Sequence, residues 1–304
     1  MKPFRSEFIS LRDRRYHVRI WGDNAAPTFF FLHGWGDVSA SFQFVVDALK
    51  GNWRIIAPDW RGFGLSQWND GPYFFPDYIA DLDALLEHYS PQIPAQIVGH
   101  SLGGIIAGLY AGIRPERVCH FANLEGFVLW VFSPDENPAR FDKWLKQIRD
   151  NDSAFRHYRS RDEFASRLIK DNPRLTLERA NFLAEHSVTT TSDSFVFNAD
   201  PKHRWISPLL YPLEEAKCCW RRMTASTLLI SGRNSKIIKP LTENPDAYRE
   251  RMACFTSVTD HRIDDCGHNI HHDQPLELAR YLEHFFLPLP ESITLSTGDH
   301  HIAT

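Results

Sequence analysis

A serine stands between two glycines where an apolar strand meets a helix of small residues. Gly99-His100-Ser101-Leu102-Gly103 follows the buried run Ala95–Val98 and opens a helical stretch, Leu102–Gly112. In this context G-x-S-x-G describes a serine on a sharp turn whose unfavourable backbone angles lift its hydroxyl clear of the sheet. Side chains at Gly99 and Gly103 would collide with the neighbouring strand and helix. The helix starting near Leu102 aims free N–H groups and a positive dipole end at the hydroxyl.

The rest of the chain supplies the sheet that such a turn needs. Glu7–Arg12 and Tyr16–Trp21 alternate about the turn-like Asp13-Arg14-Arg15, which predicts an antiparallel pair. Thr28–Leu32, Arg54–Ala57, Ala95–Val98 and Val118–Leu124 are short apolar runs, as expected of strands buried on both faces. Helical stretches at Ser41–Leu49, Pro76–Tyr89 and Leu102–Gly112 alternate with them, so the strands run parallel with helices on both faces. The alternation stops near Val131. As far as Arg222 the chain reads as helices, at Arg140–Asp150, Arg161–Lys170, Thr176–His186 and Leu213–Arg222, with almost no strand signal. Strands resume at Thr227–Ile230 and Phe255–Ile263, and a last helix spans Pro275–Phe286. The organisation is therefore an α/β core, 1–130 and 223–287, interrupted by a helical insertion, 131–222. That insertion is too long for an ordinary loop. Residues 288–304 form a C-terminal tail without periodicity.

Charge and cysteine content remove several classes. Against 34 Lys and Arg stand 38 Asp and Glu, a formal charge of −4, which argues against nucleic acid as a partner. No apolar run reaches the ~20 residues of a membrane span, and the N-terminus lacks a signal-type apolar core. Five cysteines without a C-x-x-C pair make neither a disulfide framework nor a zinc site, so a cytoplasmic protein with reduced thiols is expected.

Two further segments bring chemistry to the serine. His33-Gly34-Trp35-Gly36 follows a buried strand and can offer a backbone N–H across from Ser101; with the N–H of Leu102 this makes a two-donor oxyanion hole at Trp35 and Leu102. Cys266-Gly267-His268-Asn269-Ile270-His271-His272 lies between the last strand and the last helix, placing a histidine base at the same sheet edge. Among its three histidines His268 is preferred, because Gly267 frees the backbone before it and the others fall nearer the helix start. The cluster lacks the i, i+4 pairing and partner carboxylates of a zinc helix, so no metal and no cofactor is expected.

With these pieces in order, the chain resembles the α/β-hydrolase family as far as Phe286. The matching motifs are His33-Gly34, Asp59-Trp60-Arg61-Gly62-Phe63-Gly64-Leu65-Ser66, the Ser101 turn and Gly267-His268. The resemblance implies a mostly parallel eight-stranded sheet and makes 131–222 the family's helical cap over the site. Asp59-Trp60-Arg61-Gly62 is most similar to the branch holding epoxide hydrolases and haloalkane dehalogenases. That branch uses an aspartate nucleophile and, in dehalogenases, a tryptophan after it; here Ser101 and Leu102 stand at those places.

The resemblance also implies an acid after the seventh strand, in a Gly-x-x-Asp pattern. This chain reads Gly232-Arg233-Asn234-Ser235-Lys236 there. Glu125, directly after the sixth strand, is the candidate replacement, since some dehalogenases resembling this chain put their acid at that strand end. Glu243 and Asp246, then Asp264 and Asp265, are the alternatives, as is a Ser–His pair without an acid.

The expected function is a serine esterase-type hydrolase acting on a small hydrophobic ester-like substrate through an acyl-enzyme. A carbon–carbon bond hydrolase with the same triad is the alternative, and a non-catalytic ligand receptor is the rival from another class. Trp35, Phe127, Trp130 and Trp205 are the expected pocket residues, with Phe132 and Tyr211 beside them. A small-molecule partner is expected, and a homodimer is left open.

Overall fold

The computed structural model describes residues 1–129, 133–151, 153–209 and 211–286. Trp130, Phe132 and the tail 288–304 lie outside the described residues.

The core sheet has eight strands. They are β1 (Phe4–Leu11), β2 (Arg14–Trp21), β3 (Thr28–Leu32), β4 (Arg54–Pro58), β5 (Ala95–His100), β6 (Val118–Leu124), and, after the insertion, β10 (Ser226–Gly232) and β11 (Val258–Ile263). Their spatial order is β1-β2-β4-β3-β5-β6-β10-β11. Only the β1/β2 and β2/β4 pairs are antiparallel. The β1–β2 turn falls at Arg12-Asp13, both with positive φ (48° and 61°), slightly earlier than the sequence suggested.

Helices cover both faces: α1 (Gln43–Ala48), α2 (Phe75–Tyr89), α3 (Leu102–Ile113), and, late in the chain, α8 (Lys239–Thr242), α9 (Pro245–Met252), α10 (Ile270–Asp273) and α11 (Pro275–Phe286). Phe30, Leu32, Ile97, Phe121 and Leu229 bury one sheet face among α2, α3 and the insertion. Phe29, Phe31, Ile55, Val98 and Ile230 bury the other with α1 and α11. Alternate residues of each strand feed opposite cores, which is why the strands read as unbroken apolar runs.

The insertion holds α4 (Asn137–Asp150), α5 (Arg161–Asp171), α6 (Leu177–Ser187) and α7 (Leu213–Arg222). It also holds a small sheet that the sequence reading missed: β7 (His157–Tyr158), β8 (Val188–Thr190) and β9 (Phe195–Phe197), ordered β7-β9-β8. Strands of two or three residues are too short to show a period. Their apolar side chains, Tyr158, Val188, Phe195 and Phe197, pack with α5 and α6 in a separate cluster. Among the described residues no helix is long and apolar enough to cross a membrane.

Candidate active site

Ser101, Glu125 and His268 all lie just past the carboxyl ends of sheet strands. Ser101 separates β5 from α3 with φ 49° and ψ −114°, a conformation a non-glycine residue adopts at a cost. Its N–H donates to Leu124 O at 2.9 Å and its carbonyl accepts from Ile105 N at 2.9 Å. Glycine is required on both sides. A Cβ at Gly99 would come within 2.7 Å of Gly103 O, and one at Gly103 would strike the Leu32 carbonyl.

Glu125 also has positive φ, 57°, and is 2% exposed. Its N–H donates to Ile230 O at 3.1 Å, which folds the chain back over β10. The carboxylate is fully engaged. Oε1 accepts from Gly232 N at 2.8 Å, and Oε2 accepts from the Ser235 hydroxyl at 2.6 Å. His268 Nδ1 lies 2.6 Å from the same Oε2, and His268 Nε2 lies 3.0 Å from Ser101 Oγ. With Nδ1–H given to the carboxylate, Nε2 is left as the acceptor for the serine proton. The structure thus brings Ser101, His268 and Glu125 into one line.

The other acids do not converge. Asp264 and Asp265 are exposed and pair with Arg233 and Arg174, and Asp246 pairs with Arg249 on α9. Glu243 pairs with Lys239 on the surface. Of the other two histidines, His271 is buried against Asp37, and His272 is buried beside it.

The turn after β3 runs along the serine. A Cβ on Gly34 would lie 3.1 Å from Ser101 Cβ. His33 fixes this turn: its Nε2 accepts from Trp60 N at 2.8 Å, so its Nδ1 donates to Gly34 O, also at 2.8 Å. Burial lowers the His33 pKa and keeps the ring neutral for both bonds. Leu102 is the first residue of α3, so its N–H has no helical carbonyl behind it.

Two cavities flank Trp35, which is 54% exposed and whose indole meets Phe63 edge-on at 6.4 Å. One, of about 240 Å³, is walled by Trp35, Leu102, Tyr78, Trp205, Leu209 and Tyr211. The other, of about 200 Å³, runs from Trp35 and His268 past Asp37 and His100 to Phe164 and Leu183 of the insertion. Trp205 and Tyr211 are therefore pocket residues in position. Phe127 corrects the sequence reading. It lines neither cavity and is fully buried, edge-on to Tyr248 of α9 at 6.3 Å. The reason is local: Gly126 crosses tightly over Gly104 of α3, and Arg251 holds the Phe127 and Leu129 carbonyls at 3.0 Å each, so this segment is pinned against the core.

The sequence reading also missed residues that hold the histidine loop. Asp273 Oδ2 accepts from Gly267 N at 2.7 Å while its Oδ1 accepts from Asn172 Nδ2 of the insertion at 2.6 Å. Arg179 of α6 donates to His272 O at 2.7 Å. His100 Nε2 lies 3.0 Å from the His268 carbonyl and donates to it. Only fold-level pairing brings these residues together; nothing local in the sequence marks them.

Sheet order, strand–serine–helix turn and late histidine loop together define an α/β-hydrolase. The chain belongs to that family, since residues 27–275 match the family model described as alpha/beta hydrolase fold. It is 28% identical to the Serine hydrolase-like protein of Danio rerio over 284 residues, 89% of this chain and 84% of that one. With Serine hydrolase-like protein 2 of Homo sapiens it shares 25% identity over 225 residues, 71% of each chain. Among solved structures, the thioesterase domain from the curacin biosynthetic pathway superposes with a TM-score of 0.82 at 20% identity, covering 92% of this chain and 99% of that one. An esterase of Mycobacterium tuberculosis does so at 0.70 and 19% identity, covering 93% and 91%. At such identities the two structures speak for the fold alone. By family the chain is a hydrolase, an enzyme.

Proposed function

We propose that the protein cleaves a small hydrophobic ester through an acyl-enzyme, with Ser101, His268 and Glu125 as its catalytic residues. The observation that carries this reading is the unbroken line from Glu125 Oε2 to His268 Nδ1, 2.6 Å, and from His268 Nε2 to Ser101 Oγ, 3.0 Å. Ser101 attacks the ester carbonyl as His268 takes its proton. The buried Glu125 carboxylate holds the imidazole in the required tautomer and stabilises its cation. The Trp35 and Leu102 N–H groups receive the developing oxyanion. His268 then protonates the leaving alcohol and activates the water that frees the acid.

The two cavities on either side of Trp35 give room for the acyl and alcohol parts, and their aromatic and aliphatic walls favour apolar groups of modest size. The relatives named serine hydrolase-like support the same chemistry, and the thioesterase and esterase neighbours the fold that would carry it. A cytoplasmic location belongs to this reading, on the strength of five cysteines that are all free. The test is a series of p-nitrophenyl esters of graded chain length, with Ser101→Ala as blank, together with labelling by a fluorophosphonate. Turnover of short and medium esters and labelling of the native chain alone are expected. Failure of the native chain to react with the probe would overturn the assignment.

A further inference from the structure

Behind the catalytic histidine lies a second cluster of imidazoles that the ester reaction does not use. His100 and His271 approach with ring centroids 4.5 Å apart, and His271 and His272 with centroids 4.1 Å apart. His271 Nε2 lies 3.1 Å from Asp37 Oδ2. Asp37 comes from the turn after β3, His100 from the end of β5 and His271 from α10, so three separate segments converge. One ligand atom from each residue, Asp37, His100 and His271, lies within 4.8 Å of the other two.

The cluster is buried yet incompletely bonded. His271 and His100 are 0% and 2% exposed, and the Nδ1 atom of each has no hydrogen-bond partner among the described residues. A buried imidazole nitrogen without a donor facing it is rare and calls for an explanation. His100 gives its Nε2 proton to the His268 carbonyl, so its unpartnered Nδ1 carries the lone pair. Asp37 is held in place by the Val38 N–H on Oδ1 and the Ser41 hydroxyl on Oδ2, each at 2.8 Å. The Asp37 side chain is 13% exposed and, with His100, borders the 200 Å³ cavity, which provides a way in.

We propose that Asp37, His100 and His271 form a binding site for a first-row transition-metal dication such as Zn²⁺, and that its occupation inhibits the enzyme. Two imidazoles and one carboxylate are a donor set suited to such ions. The ion takes the place of the proton between His271 and Asp37, and that proton moves to His271 Nδ1, so the ring stays a neutral ligand. Inhibition follows from connectivity. His100 carries the His268 carbonyl on its Nε2, so an ion that draws on this ring pulls at the loop holding the catalytic base.

Co²⁺ is the probe, because its visible absorption reports nitrogen and oxygen coordination without turnover. Binding therefore stands or falls independently of the ester reading. The native chain is expected to bind a single equivalent, displaced by Zn²⁺. Asp37→Asn and His271→Gln are each expected to weaken binding by about 100-fold or more, beyond the loss typical of outer partners. Two variants guard against other sites. His284→Gln removes a histidine from the surface groove with His261 and Glu277, and His268→Gln removes the catalytic base. Both should keep the Co²⁺ spectrum, and circular dichroism checks that each variant is folded. No uptake by the native chain, or loss of the spectrum in His284→Gln or His268→Gln, overturns the site. Zn²⁺ inhibition of ester hydrolysis that persists in folded His271→Gln at the same concentration overturns the link to activity.

Discussion

Ser235 donates its hydroxyl to the Glu125 carboxylate at 2.6 Å, across the gap between the ends of β10 and β6. Ser235 stands where the family resemblance leads one to expect the acid itself. Here the two positions have exchanged duties: the carboxylate comes from β6 and the supporting donor from the β10 loop. The Gly232 N–H completes the cradle, so every oxygen of a buried charge is bonded.

Glu125→Gln keeps the shape of this cradle and removes the charge that supports the imidazolium. The expected loss in kcat is on the order of 10²–10⁴, against roughly 10⁴ for the corresponding change in another serine hydrolase. Ser235→Ala leaves the carboxylate in place but one bond short, and a drop of about ten- to a hundredfold is expected, as for a charged hydrogen bond worth roughly 1.5–3 kcal/mol. Asp246→Asn, on the exposed face of α9, should leave turnover unchanged. Steady-state kinetics on one ester ranks all three. Normal turnover by Glu125→Gln sinks the assignment of the acid.

Replacing the nucleophile has two separable effects. Ser101→Ala is expected to abolish hydrolysis and fluorophosphonate labelling. Ser101→Gly does the same but relieves a positive φ of 49°, so it should unfold at a higher temperature than Ser101→Ala. Thermal denaturation of the two variants side by side reads the strain held at the turn, and equal melting temperatures would deny it.

Aspartate and tryptophan, the residues that serve carbon–halogen cleavage in the related branch, are Ser101 and Leu102 here. Neither chloroalkanes, bromoalkanes nor simple epoxides should be turned over. Halide release above the Ser101→Ala background contradicts this.

Trp205 and Tyr211 wall the 240 Å³ cavity that the proposed reading gives to substrate. Trp205→Ala should change kcat/KM by roughly tenfold for the longest ester accepted and little for acetate, the scale expected when apolar contacts in a pocket are lost. A uniform effect across chain lengths would show that Trp205 acts on the fold rather than on substrate.

Acid should destabilise the protein early. Burial lowers the His203 and His272 pKa values to about 3 from an ordinary 6.5. Between those values the unfolded chain binds protons that the folded chain refuses, so stability is complete above about pH 6.5 and falls as the pH drops toward 3. Melting temperatures measured across this range should decline steadily. His203→Phe, between the stacked rings of Phe63 and Tyr73, should flatten the decline.

The core was legible because strands buried on both faces write unbroken apolar runs, and because the serine turn imposes glycines at fixed spacing. Glu125 was legible only through its place at a strand end. Its left-handed backbone and its Ser235 partner were not, since Ser235 reads in sequence as a missing carboxylate rather than as a hydroxyl donor. Phe127 was misplaced because the sequence does not reveal that Gly126 presses on Gly104. The short strands β7, β8 and β9 escaped notice because pairing, not periodicity, makes them strands. Asp37 and His271, 234 residues apart, meet only through the folded sheet.

Asp273 ties the insertion to the base: one oxygen holds Asn172, the other holds the amide just before His268. On the proposed reading the insertion helps to shape the substrate site, so a change that shifts Asn172 also loosens the amide that seats the proton acceptor. Specificity and rate are thereby inherited together. Asn172→Ala should therefore slow turnover even of acetate esters. The roof of this pocket is also part of its foundation.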